Sequence, residues 1–157
     1  MEYMSNRPMD YYAVYAEMSS HLEHLRPCLA QFCVKHEFSF VDSQCLGRYP
    51  RVRVEKVTDV IIYFDLWMCL DAEGNRYESF FETIPFDLGA GVYVDLDHEP
   101  PDGRRYGVAF PIWERRPFSS ITSKEMIQAM EQRLPTLGEW NVEKLKANGQ
   151  LIMLRPH

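Results

Sequence analysis

Apolar residues recur near the start of the chain at Tyr11, Tyr15, Met18, Leu22, Leu25, Leu29 and Phe32. The intervals alternate between four and three residues, which keeps all seven on one stripe of an α-helix. Glu17, Glu23, His24 and Lys35 fall off that stripe. Pro27 interrupts it, because proline has no N–H to donate and its ring crowds the carbonyl one turn back. Either a kink near Leu25 or a junction of two helices follows, and the unbroken register across Pro27 favours the kink.

From Phe38 the period changes to two. Residues 38–42 read as a short strand, 47–50 as a turn and 51–57 as a second strand, with Val52 and Val54 on one side and Arg51, Arg53 and Glu55 on the other. Residues 60–71 carry the clearest strand signal. Val60, Ile62, Phe64, Leu66, Met68 and Leu70 form a wholly apolar face, while Ile61, Tyr63, Asp65, Trp67, Cys69 and Asp71 form a mixed one. Such a strand belongs in the middle of an antiparallel sheet. Gly74 lies in a hairpin-turn sequence, so 76–84 is the expected partner strand. Residues 85–91, with two glycines, read as a loop. Val92, Val94 and Leu96 begin another half-buried strand, and residues 98–103 a turn. Tyr106, Val108, Phe110 and Ile112 make a further strand, where Pro111 implies an edge or a bulge.

Helical signals return at Thr122. Thr122 with Glu125 fits a capping box, and Ile121 with Met126 the hydrophobic staple around it. Met126, Ile127, Met130 and Leu134 continue the stripe and Pro135 is expected to end it. Trp140, Val142 and Leu145 predict a second short helix closed by Asn148-Gly149, and residues 151–154 a last strand. The predicted class is therefore α+β: a long N-terminal helix packed on an antiparallel sheet of about five or six strands, with two C-terminal helices. At 157 residues, a single domain spanning 1–157 is expected, large enough to bury a core without staples.

Composition adds less than charge does. The 46% hydrophobic content argues against disorder, and no apolar run is long enough to span a membrane. The first residues lack the basic start and apolar middle of a signal peptide, so a cytoplasmic location is expected. The four cysteines show no zinc-ligand spacing and are expected to be free thiols rather than disulfides. The net charge of −6 argues against nucleic-acid and anionic-membrane binding. It is also unevenly spread. Residues 59–99 hold ten carboxylates against the single base Arg76, whereas residues 100–157 hold nine Lys/Arg against six Asp/Glu.

Motifs for chemistry are sparse. Gly89-Ala-Gly91 lacks the third glycine and the following helix of a phosphate cradle. There is no Gly-x-Ser-x-Gly and no His-Glu-x-x-His. His21 and His24 share a helix face with Glu17 nearby, but a metal needs three or four convergent ligands, so a solvated face is the better reading. Asp95, Asp97, His98 and Glu99 are dense in ligand atoms yet lack calcium-loop spacing. Cys69 has no local nucleophile motif, although His36 or His98 would be its candidate partners. No cofactor and no metal are expected.

Three functions remain. In the first, the chain is a non-enzymatic acidic protein-binding domain of the immunity or inhibitor type, blocking a basic cleft on a toxic enzyme. Its contact residues would be Asp65, Trp67, Glu78, Glu82, Tyr93, Asp95, Asp97 and Glu99, aromatics supplying anchors and carboxylates steering a basic protein partner. In the second, Tyr11, Tyr15, Trp67, Tyr93 and Trp113 line a ligand or enzymatic pocket between the long helix and the sheet, with Asp65 as its polar group. In the third, the 4-3 stripe makes the chain a dimeric secretion chaperone or adaptor, a homodimer joined through the first helix.

Overall fold

A computed structural model of the chain describes residues 11–41, 50–58, 60–69, 84–94, 105–139 and 152–154. Helix α1 runs over Tyr11–His36 and is followed by strands β1 (Ser39–Val41), β2 (Arg51–Val57), β3 (Ile61–Met68), β4 (Pro85–Val94) and β5 (Arg105–Pro117). A short 3-10 turn at Phe118–Ser120 leads to helix α2 (Ser123–Gly138), and β6 (Ile152–Leu154) closes the sequence of elements. The six strands lie in sequence order in one sheet, and every pair is antiparallel. The class is thus α+β, with helices before and after the meander.

The 4-3 stripe of α1 becomes the roof of the core. Met18, Leu22, Leu25, Leu29 and Phe32 are buried against the apolar faces of β2 and β3. The helix continues through Pro27, which is solvent-exposed, with Leu25 and Leu29 buried on either side of it. The helix ends at Glu37, whose φ of 62° is the left-handed turn that lets the chain reverse into β1. Val54, Phe64, Leu66, Met68, Phe86 and Leu88 then fill the space beneath the helix. Phe64 meets the ring of Phe32 edge-on, with centroids 5.6 Å apart. Each such fully buried side chain contributes roughly 1.5–3 kcal/mol in transfer from water.

α2 covers the rest of that face, through Met126, Met130 and Leu137 packed over β3 and β4. Its start is as predicted: the Thr122 hydroxyl accepts the Glu125 N–H at 3.1 Å. Its end is not. The helix passes Pro135 and continues to Gly138, because Leu137, wholly buried, anchors one more turn to the core while Pro135 faces water. The two helices are tied where α1 ends: Glu131 accepts from Lys35 Nζ at 3.0 Å and lies 2.9 Å from His36 Nε2. These bonds hold the Glu131 carboxyl below its ordinary pKa.

The hairpin partner of β3 is β4, not residues 76–84. Ile61 to Met68 pair in register with Tyr93 to Phe86, so the segment expected to be a loop is a ten-residue strand. Its glycines hid an alternation in which Phe86, Leu88, Ala90 and Val92 all point into the core. Gly89 and Gly91 fall on the other face, and a Cβ on Gly91 would sit 2.4 Å from the Tyr63 hydroxyl. Residues 76–83 lie outside the described residues, as does the helix predicted around Trp140 to Leu145. Pro111 sits beside irregular register between β4 and β5. It also lies in the part of β5 beyond its pairing with β6, which covers only Arg105–Gly107; both the bulge and the edge are therefore realised among the described residues.

Candidate functional site on the open face of the sheet

Both helices lie on one face of the sheet. Among the described residues, no helix packs on the other face. The odd-numbered positions of β3 point there. Trp67, Asp65 and Tyr63 pair across the ladder with Arg51, Arg53 and Glu55 of β2 on one side and with Asp87, Gly89 and Gly91 of β4 on the other. Strand alternation therefore sets a row of aromatic and charged groups side by side.

Asp65 is the centre of that row. Arg53 Nη2 donates to its Oδ2 at 3.1 Å, and Arg51 Nε stands 3.6 Å from Oδ1. Arg53 also lies 3.9 Å from Glu55, which accepts the Tyr93 hydroxyl proton at 2.8 Å. The guanidinium of Arg53 covers the Tyr63 ring at 4.5 Å, and that of Arg51 lies 5.5 Å from the centre of Trp67. With Arg53 and Asp65 only 13% and 18% exposed, this pairing is less screened than a surface ion pair. Burial alone would lower the Arg53 pKa, but the bonded charge of Asp65 holds it above its ordinary value. Burial pushes the Tyr63 phenol up to about 12, with Arg53 pulling the other way. Among the described residues, Arg51 Nε, Arg53 Nε and Asp65 Oδ1 have no hydrogen-bond partners, so the cluster keeps unused bonding capacity at its centre.

Beside this row lies a groove of about 340 Å³. Trp67 and Trp113 line it, and Gly89 and Ala109 keep its floor low. Three carboxylates line it as well, from Asp65, Asp87 and Glu114, against one guanidinium, that of Arg51. Asp87 holds the bulged part of β5: its Oδ1 accepts the N–H of Arg115, a residue in the left-handed region at φ 49°. Its Oδ2 faces the Cys69 thiol at 3.7 Å. Arg116 stacks 4.3 Å from the centre of the Trp113 ring and binds Glu125 of α2 at 3.2 Å.

Of the contact residues expected from the sequence, Asp65, Trp67 and Tyr93 stand on this side of the sheet, but Asp65 is engaged by two arginines and Tyr93, only 3% exposed, is buried against Glu55 and Tyr63 rather than presented to a partner. Glu78, Glu82, Asp95, Asp97 and Glu99 lie outside the described residues. The chain enters the two acidic connections from opposite ends of β4, since residues 70–83 precede Pro85 and residues 95–104 follow Val94. Arg51, Arg53 and Asp87 complete the face, and Trp113, which also packs against the core, lines the groove beside it; none of the four was singled out from the sequence as a contact residue. The alternation of Arg51, Arg53 and Glu55 was visible there; the register that sets it against Asp65 was not.

Among the described residues, core side chains pack between helix and sheet, where a pocket was expected. Trp67 and Trp113 line the groove on the far side, and Tyr93 reaches Glu55 on that far side too. From Met18 to Phe32 the stripe of α1 is buried in the chain's own core. His36 bonds Glu131 rather than Cys69, and His98, the other candidate partner of that thiol, lies outside the described residues. His21 lies 3.6 Å from Glu17 and against the Phe118 ring. Among the described residues no three His, Cys, Asp or Glu side chains converge on a metal position, Cys28, Cys33 and Cys69 are free thiols, and no helix is long and apolar enough to cross a membrane. Compared with known protein families, curated proteins and solved structures, the chain matches none.

Proposed function

We propose that this chain is a non-enzymatic protein-binding domain of the immunity or inhibitor type, which uses the open sheet face and its acidic connections to block a basic protein. The observation that carries this reading is the contrast between the faces: one is closed by two helices, the other presents Trp67 and Trp113 beside carboxylates. Tryptophans in a shallow groove supply anchoring area at little rotamer cost. Carboxylates beside them speed the encounter with a basic partner. The ten carboxylates of residues 59–99, Asp65 and Asp87 of the groove among them, add to that attraction.

Affinity capture from the native host tests the proposal, with the wild-type chain compared with an Asp95→Lys, Asp97→Lys double variant. The wild type should retain a basic protein whose own activity falls on adding one equivalent of the chain. The variant should lose that protein while its far-UV circular dichroism stays unchanged. Equal retention by both chains, or a captured protein whose activity is unaffected, would overturn the proposal. The groove volume also falls in the range of small-molecule sites, which favours ligand binding on this outer face as the second reading.

A further inference from the structure

The groove has more acceptor than donor capacity, and its walls are of the kind that hold planar cations. Of its three carboxylates, Asp65 is neutralised by Arg51 and Arg53. Among the described residues, Asp87 Oδ2 meets a weak thiol donor, and Glu114 is exposed and makes no ion pair. Both tryptophans that line the groove already carry one of the chain's own guanidinium groups, Arg51 beside Trp67 and Arg116 on Trp113. A guanidinium stacks on an aromatic face while its N–H groups fork onto a carboxylate, which an ammonium cannot do in the same plane. A glycine and an alanine in the floor leave depth for the side chain to enter. A Cβ on Gly89 would meet only Phe110 O, at 3.6 Å, an ordinary contact, so the floor there is not overcrowded.

We infer that this groove is an arginine-binding site, taking an arginine side chain of a basic protein partner between Trp67 and Trp113 with Asp87 and Glu114 as its counter-charges. The inference rests on the protein-binding reading above and assigns the chemistry of the contact. The guanidinium lies along a tryptophan face. Its N–H groups donate to Asp87 Oδ2 and to Glu114, and its alkyl stem lies over Ala109.

The test uses the full chain alone, with the capped tripeptide acetyl-Gly-Arg-Gly-amide as probe and its lysine and citrulline counterparts as controls. Indole N–H resonances of Trp67 and Trp113, assigned with Trp→Phe variants, report occupancy. The arginine peptide should shift both indoles saturably. The citrulline peptide, equal in shape but uncharged, should bind at least tenfold more weakly, as should the arginine peptide to an Asp87→Asn, Glu114→Gln variant of unchanged melting temperature. The amide oxygen introduced by Asp87→Asn can still accept the Arg115 N–H, and Glu114→Gln alone, on an exposed side chain, keeps the test valid should the double variant unfold. No saturable shift, or equal binding of arginine and citrulline peptides, overturns the inference; equal binding of lysine removes the planar cation from it. A chain that binds the peptide but captures no basic protein keeps the arginine site and loses the inhibitor reading. A captured protein that arginine peptide does not displace, and that the Asp87 and Glu114 variants still hold, keeps that reading and loses the site.

Discussion

The two faces of this sheet are made by the same strands, residue by residue in alternation, yet they obey different physics. Toward the helices, β3 contributes Ile62, Phe64, Leu66 and Met68 to a dry core shared with α1 and α2. Away from the helices it contributes Tyr63, Asp65 and Trp67 to a row where both aromatics lie near a cation and Asp65 is matched by an arginine. The first face is held by non-directional burial, so what matters there is volume. The second is held by pairings whose geometry depends on strand register, so what matters is which residues stand opposite each other. A fold of this kind can keep its stability on one side and leave the other for recognition.

The comparison breaks most severely if the dry face is not the source of stability. Phe64→Ala removes a wholly buried ring that packs on Phe32 and Phe38, and should cost about 3–5 kcal/mol in urea unfolding. A loss no larger than that of an exposed substitution would shift the weight to the open face.

A pair of glycine substitutions separates the crowded part of the open face from its groove. A Cβ at Gly91 would lie 2.4 Å from Tyr63 Oη and 2.6 Å from the Val108 carbonyl oxygen, whereas at Gly89 the nearest atom is 3.6 Å away. Gly91→Ala should therefore cost roughly 1–3 kcal/mol by displacing the Tyr63 ring or the β5 backbone. Gly89→Ala should be close to neutral. The two denaturation midpoints read the difference directly, and equal midpoints would remove the distinction.

The smallest effect is electrostatic. With its phenol pushed up to about 12 from an ordinary 10.0, Tyr63 stays protonated in the folded chain at a pH where the unfolded chain ionises. Its contribution to stability is thus full below pH 10 and lost as pH rises through about 12. Phenolate absorbance, taken as the difference between wild type and Tyr63→Phe, should show that late ionisation. Arg53→Met should delay it further by removing the cation that favours the phenolate. Ionisation at the ordinary value would mean that the open face around Tyr63 is as wet as any surface.

Where the sequence was read correctly, the signal was local and repetitive. The α1 stripe, the dry face of β3 and the Thr122 cap depend on residues within a turn or a strand of each other. Where it misled, a local signal was outweighed by a distant one. Gly89 and Gly91 looked like loop residues, yet both belong to β4, and the room that Gly91 leaves for Tyr63 involves a neighbouring strand. Pro135 looked like a stop because the burial of Leu137 that sustains the helix comes from its packing over the sheet. For the candidate site, Asp65 and Trp67 were legible from the mixed face of one strand. Arg51, Arg53 and Asp87 were not, because they join the site from two other strands, and Trp113 was expected only in a pocket on the helix side.

By itself, then, the amino-acid order determined the two periodicities, the class of fold and the excess of carboxylate in residues 59–99. These are properties of composition and of neighbours along the chain. Only the tertiary structure decided that β3 pairs with β4, that Asp65 is neutralised by two arginines, and that Trp67 and Trp113 flank one groove. Register is the physical reason: a shift of a single residue between strands would move every one of these side chains to the opposite face, and the local pattern of one strand leaves the register of its neighbours open.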